Sequence, residues 1–268
     1  MSRLTITGLK KNFDDVCAVD NLSLALEDRE FMVLVGPTGC GKSTLLRLIA
    51  GVEDEDGGHI YLDGVRLNGI PPGRRGVQLV FQSYALWPHM KVFDEKKYSN
   101  LSFALKIRRW LPGILNERAQ DVMRRVGISK KWSRRRPDSL SAGQQQKVAI
   151  GRAIAIPPQV FLLDEPLANI DPVARLDVRK ELRRVHDEIG AVSLLVTHDL
   201  SDAFQIADRI AVMRDGVIVQ VDTPENLINH PADSFVESFF TSVHHERLLQ
   251  EFRARRKARK TEPTPDSP

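Results

Sequence analysis

The sequence predicts an α/β protein built around a largely parallel β-sheet. Short apolar, β-branched runs alternate along the chain with segments of helical periodicity, the pattern of strands joined by crossover helices. A glycine-rich turn from Gly36 to Gly41 separates one buried strand from the helix that follows it. The middle of the chain shows helical periodicity and no convincing strand pattern, so we also expect a helical insertion in the α/β body.

Composition restricts the class of protein. The chain has 268 residues, of which 42% are hydrophobic and 28% are charged, values typical of globular domains. No apolar run approaches the roughly 20 residues of a spanning helix, and no secretory signal is expected. Cys17 and Cys40 are the only cysteines, which excludes a disulfide framework and favours a reducing cytoplasm.

The strands and helices follow in order. Antiparallel strands are predicted at 4–9 and 16–26, a buried strand at 31–35, a helix at 42–50, a hairpin at 59–67 and a strand at 77–81. The insertion, at about 83–156, carries helices at 100–107, 112–126 and 144–156. The body resumes with a strand at 160–163, a helix from Asp171 to about 189, a strand at 192–197, a helix at 201–207 and a hairpin at 210–221.

Residues 1–240 therefore form one predicted domain, and residues 241–268 form a basic tail that we expect to be partly disordered. Most of the net charge of +4 lies in this tail. The nearly neutral body gives no support for a nucleic-acid-binding face. A solvated charge run, contact with anionic lipid and contact with nucleic acid remain open for the tail.

The glycine-rich turn fits the phosphate-binding pattern G-x-x-x-x-G-K-[ST]. Backbone N–H groups at a helix N-terminus attract anions, and glycines allow the backbone to wrap closely around them. We expect Lys42 to reach the β- and γ-phosphates of a nucleotide, Ser43 to ligate Mg²⁺, and Thr44 to approach the α-phosphate. The predicted nucleotide-binding residues are Gly36, Pro37, Thr38, Gly39, Cys40, Gly41, Lys42, Ser43 and Thr44.

A pair of carboxylates ends the strand at 160–163. Ligands bind at the carboxyl edge of a parallel sheet, so Asp164 is predicted to hold Mg²⁺ and Glu165 to act as the general base toward water. Alone, the pair also fits a solvated strand end. The phosphate-binding loop upstream favours the functional interpretation.

The chain resembles the ATP-binding cassette (ABC) ATPases. Leu140 and the four residues after it resemble the family's signature, Gln82 its Q-loop glutamine, the segment ending at Asp171 its D-loop, and His198 its switch histidine. Phe13 lies where the family places an aromatic residue that stacks on adenine. These motifs occur in the family's order and span about residues 4–229.

The resemblance implies a dimer that sandwiches two ATP molecules. Each nucleotide would lie between one subunit's loop and the other's signature, Ser141, Ala142, Gly143 and Gln144, with Asp171 also acting across the interface. Gln82 would join Ser43 and Asp164 as a Mg²⁺ ligand, and His198 would contact the γ-phosphate. The catalytic residues implied are Glu165, His198 and Lys42, with ATP and Mg²⁺ as cofactors and a second copy, or a homologous cassette, as partner.

The segment after Gln82 resembles bacterial importer cassettes for sugars, polyamines and related solutes. Tyr84, Leu86, Trp87 and Met90 are the expected docking surface for transmembrane permease subunits, although core packing is an alternative. The chain would lie peripherally on the cytoplasmic face of the membrane, with an extracytoplasmic solute-binding protein as a further partner. A non-transport ATP switch acting on a soluble partner or nucleic acid is the alternative function.

Two departures from the family pattern stand out. Ala142 replaces the usual first glycine of the signature, and hydrolysis is expected to survive this change. Residues 95–99 form an insertion of about five residues ahead of the helix predicted at 100–107, which could reshape docking. The sequence does not name the solute, and the direction of transport rests on the resemblance.

Overall fold

The computed structural model describes residues 3–241, which form two β-sheets and a set of helices. The strands are β1 (Leu4–Phe13), β2 (Val16–Leu26), β3 (Phe31–Val35), β4 (Gly57–Leu62), β5 (Val65–Arg66), β6 (Val77–Val80), β7 (Val160–Asp164), β8 (Val192–Val196), β9 (Arg209–Arg214) and β10 (Val217–Asp222). The helices are α1 (Lys42–Ala50), α2 (Phe103–Ile107), α3 (Pro112–Arg125), α4 (Lys130–Ser133), α5 (Ala142–Ile154), α6 (Pro172–Ile189), α7 (Leu200–Ile206), α8 (Pro224–Asn229) and α9 (Ser234–Thr241).

The larger sheet has the order β10-β9-β3-β8-β7-β6, with every pair parallel except β9 and β10. Both of its faces are buried. Phe31, Val33 and Val35 contribute to one apolar core, and Met32 and Leu34 point into the other. This two-sided burial explains why the strand sequence is continuously apolar rather than alternating. The predicted parallel core is confirmed.

The smaller sheet, β2-β1-β4-β5, is antiparallel and shares its core with α1. Its first strand runs to Phe13 rather than stopping near residue 9. The extension is polar and lacks the apolar alternation that indicates a strand in the sequence. In the structure, Asp56 accepts hydrogen bonds from the Asn12 amide and the Lys11 ammonium at this end of the strand. The hairpin predicted around Asp63 and Gly64 is confirmed, with both residues at positive φ.

Helices α2 to α5 lie between β6 and β7 in the chain, as predicted, but two begin elsewhere. The first starts at Phe103 because Asn100 is used to close the preceding loop: its side chain accepts from the Trp87 amide and donates to the carbonyls of Trp87, Met90 and Lys91. The last starts at Ala142, two residues earlier than predicted, because Ser141 caps it.

Three short helices, α4, α8 and α9, were not predicted. The side chain of Ser129 caps α4 and that of Thr223 caps α8, each by accepting a hydrogen bond from a backbone N–H of the first turn. Among residues 3–241, none of the helices has the length and apolar character needed to cross a bilayer. The basic tail predicted at 241–268 lies outside the described residues, apart from the end of α9.

Candidate functional site

The glycine-rich loop connects β3 to α1 at the carboxyl edge of the parallel sheet. A Cβ on Gly41 would lie 2.0 Å from the Ala18 carbonyl oxygen, and a Cβ on Gly36 would lie 2.1 Å from that of Met213. Gly41 also adopts a φ of 103° at the N-cap of α1. The loop therefore needs glycine at both positions to reach its conformation.

Lys42 is folded into this loop. Its ammonium group donates to the carbonyl oxygens of Gly36, at 2.8 Å, and Pro37, at 2.7 Å, and the residue is only 7% exposed. Pro37, Thr38 and Gly39 are exposed beside it. A cation is thus fixed among the backbone groups of a helix N-terminus, which is the arrangement that receives phosphate.

Ser43 and Asp164 meet across the sheet edge. The Ser43 hydroxyl donates to Oδ1 of Asp164 at 2.8 Å. Burial, the larger effect, raises the pKa of the Asp164 carboxyl, and the hydrogen bond from Ser43 opposes it. A hydroxyl and a carboxylate are hard oxygen ligands that suit Mg²⁺. Residues 3–241 contain no cluster of three acidic, His or Cys ligands.

Glu165 lies between two other predicted residues. One carboxylate oxygen accepts from Nε2 of Gln82 at 3.1 Å, and the other lies 3.2 Å from Nδ1 of His198. The Glu165 amide donates to the Val196 carbonyl at 3.0 Å, and the residue has a φ of 44°. The three side chains, each one or two residues beyond the end of β6, β7 or β8, therefore converge at one edge, as their positions after neighbouring parallel strands predict.

The signature segment forms a second helix N-terminus. Ser141 caps α5 through a capping box with Gln144, and Ala142 and Gly143 form the first turn. No hydrogen bond among the described residues joins this segment to the glycine-rich loop. Asp171 caps α6, where Oδ1 accepts from the Ala174 amide at 3.0 Å. The roles of these residues in a partner's site stay predictions.

Phe13 ends β1 with 41% of its surface exposed, and the Lys11 ammonium lies 5.1 Å from its ring centroid. Thr44 is half-buried in the first turn of α1. The contact of Phe13 with adenine and the contact of Thr44 with the α-phosphate stay predictions.

The structure corrects one member of the expected docking surface. Tyr84 is 8% exposed and packs in the apolar core, so its ring does not belong to an exposed face. Arg152 holds this turn by donating to the carbonyls of Tyr84 and Ala85. Leu86, Trp87 and Met90 are half-buried and remain candidates.

The sequence analysis missed a charged cluster behind His198. Arg175 and Arg179 of α6 contact Asp199 and Asp202, which lie at the start of α7. The signal available in the sequence was the spacing of the two arginines, four and eight residues after Asp171, which places them on one face of a helix.

Cys40 lies inside the loop and is 5% exposed. Burial raises the pKa of its thiol, although the ammonium of Lys42 opposes the shift. Since the thiolate is the reactive form, we expect Cys40 to react with iodoacetamide at neutral pH at least about tenfold more slowly than Cys17, which is exposed. Mass spectrometry of Cys17→Ser and Cys40→Ser chains measures the two rates separately, and equal rates would contradict this account of the loop.

The fold is that of an ATP-binding cassette that binds and hydrolyses ATP. A family model described as ABC transporter matches residues 19–168. The chain belongs to the ABC transporter family, as its motifs predicted, and is the ATP-binding subunit of such a transporter.

Named relatives support this assignment. The chain is 44% identical over 256 residues to the "Osmoprotective compounds uptake ATP-binding protein GgtA" of Synechocystis, covering 94% of this chain and 69% of that one. It is 44% identical to the "sn-glycerol-3-phosphate import ATP-binding protein UgpC 1" of Rhizobium johnstonii, covering 89% of this chain and 63% of that one. The chain thus spans about two thirds of the length of these relatives.

The solved structure of MJ0796, described as a dimeric bacterial ABC transporter cassette, matches with a TM-score of 0.72 and 25% identity, covering 82% of this chain and 98% of that one. This likeness confirms the cassette fold.

Proposed function

We propose that this cassette hydrolyses ATP in a head-to-tail dimer to drive import of a small solute across the cytoplasmic membrane. The observation that carries the proposal is the convergence at one sheet edge of the Ser43–Asp164 pair with the Gln82–Glu165–His198 chain, beside the Lys42 loop. Phosphate binding, metal binding and activation of water need these three groups within reach of one nucleotide.

The glycine-rich loop binds the triphosphate. Its N–H groups and the Lys42 ammonium neutralise phosphate charge, the ammonium exchanging its bonds to the Gly36 and Pro37 carbonyls for bonds to phosphate oxygens. Ser43, Asp164 and Gln82 would hold Mg²⁺. When bound, that ion neutralises charge that develops on the β- and γ-phosphates.

Glu165 and His198 act on the attacking water. Glu165 accepts a proton as the water oxygen bonds to the γ-phosphorus and the bond to the bridging oxygen breaks, which gives ADP and phosphate. His198 lies 3.2 Å from Glu165 and is 58% exposed, so its ring can hydrogen-bond the γ-phosphate while the carboxylate stays in place.

The dimer follows from the second anion-binding site. Because Ser141, Ala142 and Gly143 form an exposed or half-exposed helix N-terminus apart from the loop, a second copy can present its own α5 to the bound γ-phosphate. The dimeric form of the MJ0796 cassette supports this arrangement. Loss of the γ-phosphate removes the shared contacts and opens the dimer.

The relatives' names support import rather than a non-transport switch. One relative is named for uptake of osmoprotective compounds and another for import of sn-glycerol 3-phosphate. We infer that the solute is a small polar molecule, and that the partners are transmembrane permease subunits with an extracytoplasmic solute-binding protein. The chain would lie peripherally on the cytoplasmic face of the membrane.

Uptake measurements test this function. Cells in which the gene is deleted, or carries Glu165→Gln, are expected to lose uptake of at least one labelled polyol, sugar or glycerol phosphate, and the wild-type gene is expected to restore it. Unchanged uptake of all of these solutes, with salt-sensitive binding of the purified body to nucleic acid, would instead favour the alternative switch.

Trp87 provides a test of the docking surface. The centroids of the Trp87 and Phe103 rings are 4.3 Å apart, and the guanidinium carbon of Arg152 lies 5.0 Å from the centroid of the Trp87 ring. Because half-buried aromatic residues are frequent interface anchors, Trp87→Ala is expected to weaken permease binding by about 30-fold while sparing ATP affinity. Trp132→Ala, at another half-buried tryptophan of the helical insertion, is the control. Equal losses in both variants would assign Trp87 to packing.

A further inference from the structure

A charged cluster connects the start of α6 to the start of α7. Arg175 contacts two carboxylates: Nη1 lies 3.0 Å from Oδ2 of Asp199, and Nη2 lies 2.6 Å from Oδ2 of Asp202. Arg179 contacts the other oxygen of Asp202 through Nε at 2.9 Å and Nη2 at 2.5 Å. The cluster therefore joins α6 and α7, the helices that follow the neighbouring strands β7 and β8.

Each end of this cluster adjoins a predicted site residue. Arg175 lies one turn beyond Asp171, and its amide donates to the Asp171 carbonyl at 2.9 Å. Asp199 directly follows His198 and caps α7, since its Oδ1 accepts from the amides of Ser201 and Asp202. One guanidinium thus links the segment that ends at Asp171 to the residue that follows His198.

His198 depends on its backbone for its position. Its side chain is 58% exposed, and within the described residues its one hydrogen-bond partner is Glu165. The carboxylate of Asp199 fixes the adjacent backbone because one oxygen binds two amides of α7 and the other binds Arg175. A shift of that carboxylate would move the imidazole relative to Glu165.

The cluster is also costly to form. Asp202 is fully buried, and desolvation raises its pKa although both arginines oppose the shift. The buried Nε of Arg175 has no hydrogen-bond partner among the described residues. Buried charges and unpaired donors lower stability unless their partners compensate, so this arrangement is not explained by stability alone.

We propose that Arg175 is a positioning residue that sets His198 against Glu165 and transmits movement of the segment ending at Asp171 to that histidine. The inference rests on the proposed roles of Glu165 and His198. It connects the face expected to meet a second copy with the residue expected to contact the γ-phosphate.

Arg175→Gln in the full chain is expected to lower the single-turnover rate of ATP hydrolysis by about tenfold, since small misplacements of a reacting group have large effects on rate. ATP affinity should stay unchanged. Arg175→Lys should recover part of the rate, because one ammonium can reach one carboxylate at a time. Asp199→Asn tests the same pair from the other side, since its amide oxygen can still cap α7.

Two further measurements separate positioning from general stability. Hydrogen exchange at the amides of Ser201 and Asp202 should become faster in Arg175→Gln. In a His198→Ala background, Arg175→Gln should have no additional effect on the rate, because the residue through which it acts is gone. Arg184→Gln, which removes exposed ion pairs with Glu181 and Glu188 on the same helix, is the control for both.

The outcomes are distinct. Additive losses of rate in the Arg175→Gln, His198→Ala double variant, or unchanged exchange at Ser201 and Asp202, would overturn the positioning role. If His198→Ala itself hydrolyses ATP at the wild-type rate, the proposed role of the histidine fails, and Arg175 cannot act through it. A fall in thermal stability without a change in rate would leave Arg175 as a structural residue.

Discussion

The Glu165→Gln chain is expected to bind ATP with wild-type affinity and to hydrolyse it at least about 10²-fold more slowly, the usual effect of removing a general base. The substitution keeps the size of the side chain. Its amide oxygen can still accept from Nε2 of Gln82, which contacts Glu165 at 3.1 Å. It has no carboxylate to accept the proton of the attacking water, so the loss should fall on the chemical step rather than on binding.

The same variant should accumulate as a dimer, because nucleotide that is bound but not cleaved keeps the shared contacts in place. Sedimentation with ATP and Mg²⁺, beside a single-turnover assay, measures both effects. Glu188→Gln, at an exposed carboxylate of α6 that pairs with Arg125 and Arg184, is the matched control. Wild-type hydrolysis by Glu165→Gln would remove Glu165 as the base, and a chain that stays monomeric with ATP would contradict the shared site.

The sequence predicts the core of this site well because local rules determine it. A buried strand followed by glycines and Lys42 defines the loop whatever the remaining chain does, and an apolar strand ending in Asp164 and Glu165 places carboxylates at the sheet edge. The contacts of Ser43 with Asp164 and of Glu165 with Gln82 then follow from the parallel order of the strands.

Features that depend on distant partners could not be predicted in this way. Tyr84 has the sequence setting of a surface aromatic residue, but its ring packs in an apolar core formed by residues distant in the chain, and Arg152, 68 residues away, binds its carbonyl. The pairing of Arg175 with Asp199 requires knowing how α6 and α7 pack. Helix starts were misplaced where polar side chains serve loops, as Asn100 does before α2.

Lys42→Ala is expected to weaken ATP binding by about 10²-fold, which corresponds to the roughly 3 kcal/mol of a charge-assisted hydrogen bond at the upper end of its range. In the structure its ammonium is 7% exposed and bonded to the carbonyls of Gly36 and Pro37, so the cation already lies where the loop encloses phosphate. Alanine keeps the helix and removes the charge. Titration with ATP and Mg²⁺ measures the loss.

Because the ammonium also ties the loop together, Lys42→Ala could lower stability as well as affinity. Lys42→Arg separates these effects: it keeps the charge and its donors but is too large for the same contacts, so it should hold the fold while binding ATP less tightly than wild type. Thermal unfolding without nucleotide shows whether each variant is folded. Wild-type ATP affinity in a folded Lys42→Ala chain would show that the loop does not bind the triphosphate through this lysine.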